Sequence, residues 1–262
     1  IPAFVAVVIQ AALRSAGDVR SPLYAGLIMI VVNVFLDWLL IFGFGPVPGL
    51  GVHGAAISTA ISRIAGMFIM VWFLRRSVLA GSFRSLRPRL GWARRILNIG
   101  WPAALQNLMW STASLAFVFI LAQLGSQATA AQAALTVALR IEGLAFMPGV
   151  AFGMAATPLV GQNLGAGKPD RAAHSAWAAV GQAVIIMTVI GALFVIFPRP
   201  LALLFTKEAA VIPLIVSYLI INGVSEPFLA IGMVLRGALQ GAGDTRFPMA
   251  ITVLSLWVLR LP

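Results

Sequence analysis

Residues 12–44 read ALRSAGDVRSPLYAGLIMIVVNVFLDWLLIFGF. From Pro22 to Phe44 the only charged side chain is Asp37, and the run is long enough to cross a bilayer as a helix, which takes about 20 apolar residues. The segment before it is short and polar, with Gly17 for a turn, Asp18 to cap the next helix and Pro22 suited to that helix's first turn. Loop and long apolar helix form the pattern from which the rest of the chain is built.

Composition extends that reading. Of the 262 residues 61% are hydrophobic and 10% charged, with a mean hydropathy of +1.00, whereas a soluble domain carries about 25% charge. A soluble enzyme, a disordered regulator and a secreted disulfide scaffold are excluded, and the lack of cysteine removes thiolate metal sites. Six full spans are expected, at about 22–44, 51–74, 96–122, 128–158, 174–197 and 211–236, with partial spans at 1–13 and 247–262. The chain starts at Ile1 and stops at Pro262 inside apolar runs, so it reads as part of a longer one. In lipid every backbone group must be bonded internally, so the fold class is all-α integral membrane.

The net charge of +11 raises the question of nucleic acid, and the placement of the charges answers it. Arg14 and Arg20, the cluster Arg75, Arg76, Arg84, Arg87, Arg89, Arg94 and Arg95, then Lys168 and Arg171, then Arg236 and Arg246 fall in alternate loops. The opposite loops hold Arg199 and Lys207, and Arg63, Arg140 and Arg260 lie in spans. By the positive-inside rule the basic loops are cytoplasmic, and the charge is topological, with no nucleic-acid partner. The 75–95 cluster, with Trp92, suits anionic lipid headgroups.

The opening loop returns at residues 238–248 as ALQGAGDTRFP, matching at Ala, Leu, Ala, Gly, Asp, Arg and Pro. An even number of spans separates the copies, which makes a parallel duplication of the kind found in secondary transporters. The repeat indicates two lobes and does not mark an active site.

Further motifs are Asn33-x-x-x-Leu36-Asp37-x-x-Leu40-Ile41-Phe42-Gly43, Leu50-Gly51-x-x-Gly54-Ala55-Ala56-x-x-Thr59, Gly100-x-Pro102, Phe146-Met147-Pro148-Gly149 and Val160-Gly161-Gln162-Asn163-Leu164-Gly165-Ala166-Gly167. With both Gly-Asp loops they resemble the multidrug and toxic compound extrusion (MATE) family over nearly the whole chain. The resemblance implies two six-helix bundles, here from the end of span 4 to the start of span 11. Residues 1–75 would close the N-lobe, 76–95 would be a basic cytoplasmic linker, and 96–262 would form the C-lobe. It implies a monomeric antiporter of the inner (plasma) membrane, exporting amphipathic, often cationic drugs against Na⁺ or H⁺ with no further cofactor.

Three acids lie within spans: Asp37, Glu142 and Glu226. An ionisable group at mid-membrane costs on the order of 2.5–3.5 kcal/mol and needs a partner or a function. Asn33 and Asp37, one turn apart, offer oxygen ligands suited to Na⁺, and Thr59 on the next span adds a hydroxyl; a structural pair of Asp37 with Arg63 is the alternative. The resemblance places Asn33, Asp37 and Thr59 in the cation-coupling cluster of the N-lobe. Asn222 and Glu226 repeat the spacing, and Pro227 suggests a kink or opened backbone. Family branches that couple in the C-lobe carry acids in two spans. Here their span-10 acid aligns near Leu229, and span 7 offers Gln106 and Asn107 but no acid. Gln106, Asn107, Glu142, Asn222 and Glu226 are therefore substrate contacts or secondary polar groups. Glu142 and Arg140 point apart and would each meet another helix. Met147, Met154, Phe146 and Phe152 suit ordinary packing or an adaptable cavity. His53 and His174 carry no assignment.

Competing readings are a lipid-linked oligosaccharide flippase, which would need a strongly basic cavity, and an intramembrane enzyme. The latter lacks an H-E-x-x-H, paired-His or Cys signature, and the Gly-rich loops lack a P-loop's G-K-[ST] ending.

Overall fold

The computed structural model describes residues 1–44, 48–81, 90–123, 125 and 128–260. The expected break at Gly45-Pro46-Val47 and the linker arginines Arg84, Arg87 and Arg89 lie outside the described residues. Nine α-helices are described, and two compact units separate at residues 88 and 89.

The first unit holds α1 (Pro2–Ser15), α2 (Arg20–Phe42) and α3 (Val52–Arg76). Its α2 and α3 form an antiparallel pair held by a stripe of small residues, and α1 packs on α3 through Ile9, Leu13 and Met70. Gly54, Ser58, Ser62 and Gly66 recur every fourth residue of α3 and are all buried. Gly54 lies against the backbone of Leu40, where a methyl group would stand 2.6 Å from the carbonyl carbon. Gly66 meets the Met29 thioether, and Ser58 meets Asp37 between these two contacts.

The second unit holds α4 (Leu90–Ala122), α5 (Ala128–Gly165), α6 (Pro169–Ile196), the short α7 (Pro198–Leu203), α8 (Ile212–Gly241) and α9 (Arg246–Val253). A π-helical stretch, Leu254–Arg260, continues α9. The core is the triangle of α5, α6 and α8, filled by Ala156, Val160, Ala183, Met187, Ala230 and Val234. On α5 the residues Gly149, Gly153, Thr157 and Gly161 recur every fourth position, facing Met233, Gly237 and Gly241 of α8. A methyl on Gly237 would stand 2.6 Å from the Gly153 carbonyl carbon, and one on Gly241 would stand 2.9 Å from that of Thr157. Thr157 Oγ1 donates to the Gly237 carbonyl at 2.9 Å. Small residues at helix contacts let dispersion and polar backbone contacts operate without intervening side chains, as membrane helices require.

Six helices, α2 to α6 and α8, are long and apolar enough to cross a membrane. They match the six expected spans, with ends shifted by several residues at α4, α5, α6 and α8. The α4 helix starts at Leu90, inside the stretch read as linker, so Trp92, Arg94 and Arg95 are helical. Large apolar side chains such as Val31, Val34, Phe35 and Trp38 on α2 are exposed, a surface that lipid or further helices would cover. Arg76 stacks on Trp72 at 4.1 Å and Arg95 on Trp92 at 5.6 Å, amphipathic pairs suited to a membrane–water boundary.

Both Gly-Asp loops close their preceding helices alike. Gly17 and Gly243 take φ of 90° and 87°, and Asp18 N–H and Asp244 N–H each reach the carbonyl five residues back at 2.9 Å. Each aspartate then accepts from the start of the next helix, Asp18 from Ser21 N–H at 3.0 Å and Asp244 from Phe247 N–H at 3.2 Å. Hydrogen bonds from the Ser21 side chain and backbone hold the Asp18 carboxyl below its ordinary value. The α8 backbone is not opened at Pro227: helix runs through it, and the Gly223 carbonyl that the proline leaves without its usual donor packs on Gly191 of α6.

Gly237→Val is expected to force α5 and α8 apart and to cost at least 1–3 kcal/mol, on the order of an overpacked core. Gly232→Val, on the same helix where a side chain meets open space, is expected to leave thermal unfolding in detergent unchanged. Equal effects of the two would remove the contact's special role.

Candidate functional site

Asn33 and Asp37 both lie on the α2 face turned to α3 and are half-buried. The partner of Asp37 is Ser58, whose hydroxyl donates to Oδ1. Ser58 is fully buried and also reaches the Ala55 carbonyl at 3.0 Å. Asn33 Nδ2 is buried with no hydrogen-bond partner. By register it lies between the Asp37–Ser58 and Met29–Gly66 contacts, level with buried Ser62. Thr59 is exposed and donates to the Ala55 carbonyl at 2.8 Å, so the hydroxyl beside Asp37 belongs to its neighbour. Arg63 is exposed, and the described contact of Asp37 is with Ser58. Ser58 went unread in the sequence, although the fourfold spacing Gly54-Ser58-Ser62-Gly66 marks the face that meets α2. Thr59 stands about 100° around the helix from it.

In the second unit Gln106 is buried and clasps α4 to α9. Its Nε2 donates to the Pro248 carbonyl at 3.0 Å and to Thr252 Oγ1 at 2.6 Å, while Thr245 Oγ1 donates to the Ile99 carbonyl at 2.9 Å. Its neighbour Asn107 is exposed. Glu142 on α5 does meet another helix: Tyr218 of α8 donates its hydroxyl to Glu142 Oε2 at 2.6 Å. Arg140 is exposed. A cavity of about 410 Å³ opens between α4, α5 and the π-helical stretch, with Trp110, Phe117, Phe146 and Glu142 on its wall. Of the residues suited to an adaptable cavity, Phe146 lines it, Phe152 packs on the core, and Met147 and Met154 are exposed.

Tyr218, Asn222 and Glu226 follow one another at four-residue spacing along α8. Asn222 Nδ2 reaches the Tyr218 carbonyl at 3.4 Å. Glu226 is fully buried beside Gly191, and neither carboxyl oxygen has a hydrogen-bond partner. No group of three or more His, Cys, Asp or Glu able to hold a metal occurs among the described residues. A buried polar group without a partner is destabilising by about 1–3 kcal/mol. Glu226→Met, which keeps the volume and removes both oxygens, is therefore expected to unfold at or above the parent's midpoint. A clearly lower midpoint would mean that the carboxyl has a partner holding α6 to α8.

Two family models match: MatE over residues 102–262, and Lipid II flippase MurJ over residues 1–105. A probable multidrug resistance protein NorM from Thermotoga maritima is 33% identical over 97% of this chain and 54% of its own length. The multidrug resistance protein NorM of Burkholderia vietnamiensis is 32% identical, over 97% and 55%. The chain thus spans about half the length of the curated relatives it matches. Among solved structures, a mutant of the Vibrio cholerae MATE transporter VcmN superposes with a TM-score of 0.85 at 25% identity, covering 98% of this chain and 57% of that one. With its apolar spans, its helical fold and these relatives, the chain is a multi-pass membrane protein that belongs to the MATE family.

Proposed function

We propose that the protein exports amphipathic or cationic small molecules across the inner (plasma) membrane in exchange for inward Na⁺ or H⁺. Two bundles would alternate access to the two sides in a monomer, the basic loops facing the cytoplasm. Residues 1–75 serve as the N-lobe portion, 76–95 as the linker and 96–262 as the C-lobe. The observation that carries this reading is Asp37, a carboxylate in an apolar helix pair whose described partner is a neutral hydroxyl. Among the described residues its contact is with that hydroxyl and not with a cation. An acid so placed stays available to a proton or Na⁺, and Asn33, Ser58 and the nearby Thr59 supply the oxygens a hard cation prefers. Family membership supports export as the process thus driven. Gln106, Asn107, Glu142, Asn222 and Glu226 form the secondary polar set, and the reading requires no enzymatic step.

A second reading, movement of a lipid-linked oligosaccharide, is favoured by the MurJ match over the first 105 residues. A cargo bearing phosphates calls for basic groups, whereas the one ionisable residue lining the described cavity is Glu142.

Ethidium efflux from cells stripped of their own pumps tests both. Asp37→Asn at equal expression is expected to lower efflux at least tenfold, and Ser58→Ala to raise the Na⁺ or H⁺ concentration needed for half-maximal efflux several-fold. Efflux indifferent to Asp37→Asn would reduce Asp37 to packing, and no efflux from the parent would put the flippase reading first.

A further inference from the structure

The α4 helix outruns both its own packing and the bilayer. Its 33 residues extend about 50 Å at about 1.5 Å per residue, against about 40–45 Å for a bilayer with its headgroups. Every residue from Leu90 to Asn98 is exposed, and the apolar run of the helix starts at Ile96. Arg94 and Arg95, the two residues before that run, are thereby set at headgroup depth. At about 3.6 residues per turn Arg94, Asn98 and Arg95 share an arc of about 100°, and the remainder carries Trp92, Ile96 and Leu97. Arg95 also prolongs the line of Pro102, Gln106 and Ala113, the buried residues of α4, past the start of α9. At that start Thr245 Oγ1 bonds the Ile99 carbonyl at 2.9 Å, one turn from Arg95, and the next two residues, Arg246 and Phe247, are exposed. The acid of that loop, Asp244, is turned to its own helix, its Oδ1 accepting from Arg246 N–H at 3.1 Å and Phe247 N–H at 3.2 Å. Three guanidinium groups and a set of large exposed apolar side chains therefore share one end of the second unit.

That pairing selects its occupant. An acidic peptide would satisfy the arginines and leave Trp92, Ile96, Leu97 and Phe247 uncovered. A phospholipid with a net negative headgroup meets both: its phosphate accepts from guanidinium donors, and its chains run along the apolar side. A zwitterionic headgroup brings its own cation to the same arginines and gains less. We propose that the opening turns of α4 and the start of α9 form a docking surface for anionic phospholipid, with Arg94, Arg95 and Arg246 holding the phosphate and Trp92 and Ile96 lying along an acyl chain. Arg95, 5.6 Å from the Trp92 ring, stands where the two chemistries meet. Charge alone spreads attraction along the whole 75–95 cluster, whereas this surface joins two of those arginines to Arg246 of a helix distant in the chain. Cargo and coupling ion play no part in it.

The test is native mass spectrometry of the purified protein in detergent, titrated with phosphatidylglycerol and with phosphatidylcholine. The wild type is expected to retain phosphatidylglycerol in preference by about fivefold or more. One basic group beside an anionic headgroup contributes about fivefold, so Arg94→Gln with Arg95→Gln is expected to weaken phosphatidylglycerol binding about twentyfold, and Arg246→Gln alone about fivefold. Arg199→Gln with Lys207→Gln, which removes the same charge from the opposite loops, is expected to leave binding within twofold. All five side chains are exposed, and an unchanged thermal midpoint reports an intact fold in each variant. Equal retention of the two lipids by the wild type, an Arg94 and Arg95 variant within twofold of it, or an equal loss in the opposite-loop variant overturns the proposal. Displacement of the lipid by millimolar inorganic phosphate would mean a site for the phosphate group without its chains. Displacement by an equimolar polyglutamate peptide would assign the surface to an acidic protein, and either result overturns the lipid assignment.

Discussion

The contact on which the second unit depends is made by backbone. Where α5 crosses α8, Gly153 and Thr157 meet Gly237 and Gly241 with no side chain between them, and Thr157 adds a hydrogen bond to the Gly237 carbonyl. In lipid no hydrophobic force draws apolar helices together, so close approach and polar contact must supply the attraction. The α6 helix joins by the same device, Gly191 against Gly223. The first unit repeats it at Gly54, against the Leu40 backbone.

That frame determines where the polar groups fall. On α3 the small-residue stripe that brings the helices together also carries Ser58, so the hydroxyl facing Asp37 is placed by packing. On α8 one face runs Tyr218, Asn222, Glu226, and its first member holds Glu142 at the edge of a cavity while its last is sealed inside the core. Two glutamates on neighbouring helices thus have opposite surroundings: one is bonded and reaches an open space, the other is enclosed without a donor. Gln106 does a third kind of work, tying α4 to α9 through Pro248 and Thr252.

The fold was legible because span length and hydropathy are collective properties of some twenty residues. One misplaced charge does not hide them, and the repeated Gly-Asp loop marked two helix ends whose geometry is the same. Helix ends were less legible: Trp92, Arg94 and Arg95 look like linker by charge, yet long amphipathic side chains are at home in a helix at the membrane boundary, and α4 begins before them. At the candidate sites, side-chain direction was the missing quantity. Thr59 stood out by its motif, whereas Ser58 shares the fourfold stripe, and one residue's difference turns a hydroxyl by about 100°. Tyr218 as partner of Glu142, and Pro248 and Thr252 as partners of Gln106, join residues far apart in the chain, and no local pattern announces such pairs. Pro227 suggested a broken helix because its lost hydrogen bond was visible, while the packing of Gly223 on Gly191 was not.

The glycine crossings also have an entropic consequence. Glycine is costly in a soluble helix because ordering its backbone gives up more freedom than any other residue does. Inside a bilayer a separated helix remains helical, since its amides have no water to turn to. That cost therefore falls before α5 and α8 meet. Where they touch, glycine has no rotamers to freeze, so the crossing adds almost no side-chain ordering to the cost of assembly.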